Sequence, residues 1–163
     1  MQIVVATVDT KRRVRIVDAL RSESCFAVGE SADEAGLLKL LHTAKPDVVL
    51  LDTLIASRVN GAAALLQSVR TILLAAAIDE AHMMHALRLS ARGMVPQGVP
   101  PPLLFQSIRS VLANEYWFGS DSIPLMVGML RRFLQQSPHE SPPRCPELTP
   151  RALCNLNDRG GPL

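Results

Sequence analysis

Aromatic side chains make up 4% of this 163-residue chain, with one Trp, one Tyr and four Phe. That scarcity argues against a surface that holds single-stranded nucleic acid by stacking bases on rings. Cysteine is sparse too. Cys25, Cys145 and Cys154 are scattered and odd in number, so they form neither a disulfide framework nor the spacing of a metal site. No apolar run is long enough to span a bilayer, and no basic start leads into an apolar segment with a small-residue cleavage site. The expectation is a cytoplasmic protein with no membrane contact. A net charge of +2 points neither towards nucleic acid nor away from it. No nucleophile–base pair and no phosphate-cradling glycine loop is visible, so independent enzymatic turnover is not indicated.

What is present is a globular composition, 48% hydrophobic and 20% charged, long enough for one domain of ordinary size plus a tail. The most informative stretch is Pro46-Asp47-Val48-Val49-Leu50-Leu51-Asp52, a short apolar run of the kind buried on both faces of a parallel sheet. It stops at a carboxylate, Asp52, followed by Thr53-Leu54 and a polar turn from Ser57 to Gly61. An acid there either serves ligand chemistry, which open α/β sheets place at the carboxyl ends of their strands, or caps the following loop.

The rest of the chain alternates in the same manner. Gln2–Val8 reads as a strand; Asp9 or Thr10 then caps a helix that buries Val14, Ile16, Val17, Ala19 and Leu20 and leaves Lys11, Arg12, Arg13, Arg15 and Arg21 solvated. Phe26–Gly29 is a second strand, and Ser31 or Asp33 starts a helix with Leu37, Leu38, Leu40 and Leu41 on one side. After the Asp52 strand come a helix over about 61–69, a strand at Thr71–Ala76, a helix opened by Asp79-Glu80, a minimal strand Gly93–Val95 and a helix over Leu103–Leu112. Five strands alternating with five helices imply a three-layer α/β/α sandwich around a five-stranded parallel sheet. Tyr116-Trp117-Phe118 then packs the end of the domain. Residues 125–136 are apolar at helical spacing, 137–147 are proline-rich and read as a linker, and Thr149-Pro150 begins another helix.

Taken together, "KPDVVLLD" (45–52), "FAVGESADEAGLLKLL" (26–41), "HALRLSARGMV" (85–95), "PPPLLFQSIRSVLANEYWF" (100–118) and "ELTPRAL" (147–153) resemble a response-regulator receiver domain of the NarL/FixJ (LuxR-type) class. The resemblance implies a flavodoxin-like sheet of strand order 2-1-3-4-5, a receiver over 1–118, a linker helix over 119–136, and a truncated helix-turn-helix start, or a tail, over 148–163. Without a recognition helix this stretch is not expected to read DNA.

The family takes a phosphoryl group from a histidine kinase on an aspartate at the end of the third strand, which falls on Asp52. Its two metal-holding acids fall on Thr7 and Val8, neither an anionic oxygen ligand of the kind Mg²⁺ prefers, with Asp9 one residue beyond as the only substitute. The switch hydroxyl falls on Ala75, the lysine on Gln97 and the aromatic switch on Met94. An acyl phosphate on Asp52 would then face no metal, no lysine and no hydroxyl. The resemblance thus implies a degenerate, phosphorylation-independent receiver of a transcriptional regulator, without a cofactor, acting by homodimerisation or through a kinase or another regulator. The alternatives are a Mg²⁺-dependent acceptor rescued by Asp9, and a sequestering protein that lacks a DNA-reading half. Elsewhere, His82 and His85 stand three apart on one helix, more suited to a solvated face than to a metal. Met83 and Met84 suit core or partner contact. The apolar stripe from Leu125 to Leu134 lacks an evident cover and suits self-association.

Overall fold

The computed structural model describes residues 1–59 and 63–136, apart from the Ala63 side chain. The strands are β1 (Gln2–Ala6), β2 (Ala27–Ser31), β3 (Val48–Asp52), β4 (Arg70–Ala75), β5 (Gly93–Pro96) and β6 (Trp117–Phe118). The helices are α1 (Thr10–Ser22), α2 (Glu34–Ala44), α3 (Thr53–Ala56), α4 (Ala63–Gln67), α5 (Glu80–Arg88), α6 (Pro101–Leu112) and α7 (Ser122–Gln136). By their internal contacts the residues divide into two units, Met1–Leu130 and Arg131–Leu163. Of the second unit only 131–136, the end of α7, is described.

All strand pairs are parallel, in the order β2-β1-β3-β4-β5-β6. Every residue of β3 is buried, and successive side chains leave the sheet on opposite faces. Val48 and Leu50 join Ile3, Val5, Ile72 and Leu74 in a core closed by Ile16, Val17 and Leu20 of α1 and Leu104, Ile108 and Val111 of α6. Val49 and Leu51 join Val4, Ala6 and Leu73 in a second core under Leu37 and Leu41 of α2, Ile55 of α3, Leu66 of α4 and Met83 and Ala86 of α5. Each fully buried aliphatic chain of this size stabilises the fold by roughly 1.5–3 kcal/mol. The sandwich is therefore the expected one, with two differences in its parts.

The first difference is a sixth strand. Tyr116-Trp117-Phe118 does more than pack the end of the domain: Trp117 pairs with Gly93 and Phe118 with Met94. Gly93 permits this approach, since a Cβ there would stand 2.9 Å from the Trp117 carbonyl oxygen, closer than real side chains come. The second is the segment after β3. One helix over about 61–69 is expected; among the described residues α4 covers Ala63–Gln67, and a further short helix, α3, forms directly after β3, capped by Asp52. The expected start of that helix, the proline-rich linker and the helix after Thr149 lie outside the described residues.

Smaller shifts have plain causes. Val14 is exposed, because the buried positions of α1 are Ile16, Val17 and Leu20 and Val14 lies off that face. Helix α7 begins at Ser122 and holds Pro124 in its first turn, where the missing N–H has no helical partner to lose.

Candidate functional site

Strand register assembles the site at the carboxyl edge of the sheet. Ala6 stands opposite Leu51, which sets Thr7 beside Asp52, and Ala75 stands opposite Pro96, which brings Gln97 to the same edge. Asp52 is fully buried, and its two carboxylate oxygens are used differently. Oδ1 accepts the backbone N–H of Leu54 (3.1 Å), capping α3, and lies within reach of the Gln97 amide (3.4 Å) and the Thr53 hydroxyl (3.5 Å). Oδ2 accepts the Thr7 hydroxyl at 2.7 Å and Nη1 of Arg12 at 2.9 Å. Asp52 thus caps the next element and also faces the pocket; the two roles fall on separate oxygens.

Arg12 and Arg13, expected to be solvated, are part of this arrangement. The Arg12 side chain is 23% exposed, and while Nη1 meets Asp52 its Nη2 lies 3.4 Å from Oδ2 of Asp9. Arg13 donates Nη1 to the Thr7 carbonyl at 2.8 Å and points Nε at Glu30, 3.8 Å away, whose other oxygen takes Arg21 at 2.9 Å. The expectation of a pocket with no metal, no lysine and no hydroxyl is corrected in its last part: Thr7 places a hydroxyl on Asp52, and Arg12 adds a guanidinium that the expectation did not include. A sequence signal for this existed. The first turn of α1 holds three consecutive basic residues and no acid, where the helix dipole favours the opposite sign. Such a run calls for carboxylates aimed at it.

Asp9 is the N-cap of α1; its Oδ1 accepts the backbone N–H of Arg12 at 3.0 Å. That bond, with the Arg12 charge, holds its carboxyl below the usual carboxylate range. Val8, at the other expected acid position, is exposed hydrocarbon. Ala75 is buried and offers only its carbonyl, which accepts the Gln97 N–H at 2.9 Å. Met94 is buried in the core on the α5 side of the sheet.

The fold family implies Mg²⁺ here, and these donors do not suit it. Mg²⁺ demands several hard oxygens in near-octahedral array. The carboxylates of Asp9 and Asp52 instead share one guanidinium, and the Thr7 hydroxyl donates to Asp52. Among the described residues no group of three or more His, Cys, Asp or Glu stands together to hold a metal.

The other candidates lie apart from this site. His82 Nδ1 pairs with Asp79 Oδ1 at 2.7 Å, and the Asp79 carboxyl is held below its usual range, first by the backbone N–H of His82 that it caps. His85 lines a separate groove of about 380 Å³ with Ser57, Met84 and Arg88. Met83 is core, whereas Met84 is exposed. On α7, Met126 and Met129 turn to the core while Ile123, Val127 and Leu130 are exposed. Between β5, α6, β6 and the start of α7 lies a cavity of about 200 Å³ lined by Met94, Pro96, Leu103, Trp117 and Ser122. The buried Ser122 hydroxyl has no hydrogen-bond partner among the described residues. No described helix is long and apolar enough to cross a membrane.

No protein-family model matches the chain, and no curated protein matches it. Solved structures do. A LuxR-family two-component response regulator from Aurantimonas sp. superposes with a TM-score of 0.68 at 19% identity, over 80% of this chain and 97% of that one. The receiver domain of the response regulator NarL from Mycobacterium tuberculosis gives 0.60 at 25% identity, over 69% and 95%. The response regulator RcsB from Salmonella typhimurium gives 0.67 at 16%, over 83% and 78%. The chain has the receiver-domain fold of LuxR/NarL-type response regulators.

Proposed function

We propose that this chain is the receiver module of a two-component-type transcriptional regulator, that it works in the cytoplasm without a phosphoryl cycle, and that it signals by contact. On this reading it is a signalling module with no turnover of its own and no resident cofactor. The observation that carries the reading is Asp52: it stands at the acceptor position, yet it is fully buried with both oxygens engaged. A carboxylate attacks phosphorus only with a free oxygen in line, beside positive charge and donors that follow the developing phosphoryl oxygens. The positions that would supply them hold Thr7, Val8, Ala75 and Gln97. Asp9 as a metal ligand would have to leave both the end of α1 and Arg12.

For an output surface, Ile123, Val127 and Leu130 supply an exposed apolar stripe at helical spacing on α7. A second copy of the chain is the simplest partner; a histidine kinase or another regulator are the others. One solved RcsB structure is a complex with DNA; DNA contact by this protein is assigned to none of the residues described here.

The test is an intact-mass spectrum of the folded protein after incubation with a small phosphodonor, with and without Mg²⁺. The expected result is no adduct. One added phosphoryl group that needs Mg²⁺ and vanishes in Asp52→Asn would replace this reading with a conventional acceptor.

A further inference from the structure

We infer that Arg12 is the built-in cation of this pocket, standing where a receiver's divalent metal would stand, and that it fastens the start of α1 to the end of β3. The inference rests on Asp52 occupying the acceptor position. Three observations carry it. One guanidinium reaches two carboxylates from different elements, Asp52 on β3 at 2.9 Å and Asp9 before α1 at 3.4 Å. Bridging two acids in this way is the structural work a metal does at such an edge. Arginine also keeps its charge at every physiological pH, and its planar fork serves two acceptors at once. Finally, Arg12 sits in the first turn of α1, against the helix dipole and beside Lys11 and Arg13. That placement is unfavourable for a solvated cation and becomes favourable through the two acids.

The arrangement continues past Arg12. Arg13 holds the Thr7 carbonyl while the Thr7 hydroxyl holds Asp52, so both arginines and the acid fix the same turn between β1 and α1. A metal-dependent pocket answers to ions and phosphoryl groups. This one answers to whatever moves α1, since Arg12 cannot leave Asp52 without uncovering a buried charge. Displacement of α1 and exposure of the Asp52 carboxylate are therefore one coupled event.

The experiment is a double-mutant cycle read by thermal unfolding, followed by circular dichroism with MgCl₂ and with EDTA. Arg12→Ala is expected to lower Tm by about 5–10 °C, since a buried carboxylate loses its partner. In an Asp52→Asn background the same change is expected to lower it by less than about 3 °C, because no charge remains to be compensated. Arg12→Lys, which keeps the charge and loses the fork, should fall between, and it replaces Arg12→Ala in the cycle if that variant does not fold. Wild-type Tm should be the same in Mg²⁺ and in EDTA. An equal Tm loss in both backgrounds, or a Mg²⁺-induced rise in the wild type that Asp52→Asn abolishes, would overturn the inference. These outcomes concern Arg12 whether or not Asp52 accepts a phosphoryl group, so they are separable from the mass measurement.

Discussion

Thr7 shows how one side chain changes the character of a pocket. Where a metal-binding carboxylate was expected to be missed, its hydroxyl donates to Asp52 Oδ2 at 2.7 Å, and its carbonyl accepts from Arg13. It is fully buried, so water does not substitute for it. Thr7→Val keeps the shape and deletes the donor. It is expected to cost about 1–3 kcal/mol, the usual penalty for a buried acceptor losing a partner, measured by urea unfolding. Unchanged stability would mean that Arg12 alone satisfies Oδ2. Strand register can be followed in the sequence, and it is register that brings Ala75, Gln97 and Asp52 to one edge of the sheet. For Arg12 the sequence carried only the basic first turn of α1 as a signal; which acid it meets was not legible, because a side chain of that length reaches across elements.

Elements differ in how plainly they announce themselves. Strand β3 was readable because burial on both faces demands a continuous apolar run, and α1, α2 and α5 because each opens on an aspartate cap, Asp9, Asp33 and Asp79. Strand β6 has two residues, too few to show alternation, and its presence depends on Gly93 leaving space for the Trp117 carbonyl. Gly93→Ala is therefore expected to push β6 from the sheet edge and to lower stability by about 1–3 kcal/mol, the usual range for overpacking. The check is hydrogen exchange at the Trp117 amide, which bonds the Arg92 carbonyl at 2.9 Å. Exchange as slow as in the wild type would show that the strand accommodates the methyl group. Helix α3 was hidden for a different reason: Asp52 caps a helix that starts immediately after the strand, and its four residues are too few to show a helical period.

For the molecule as a whole, the two kinds of surface are unequal. The Asp52 pocket is closed by its own side chains, whereas α7 leaves Ile123, Val127 and Leu130 exposed, the last to 59%. If a second copy covers that stripe, sedimentation velocity will show a dimer at high concentration, and Leu130→Glu will return it to monomer with the Tm that the wild type has at dilute, monomeric concentration. A wild type that stays monomeric throughout would assign the stripe to another partner. Either way, the protein carries its own optical reporter. Trp117 is the sole tryptophan of the chain; it is half-buried on the edge strand, against the cavity where α7 begins. Its emission will therefore record events at that end of the sheet, with no label and no second indole to dilute the signal. Binding that shifts this emission will have been felt beside β5 and β6, and binding that leaves it still will have been confined to some other face.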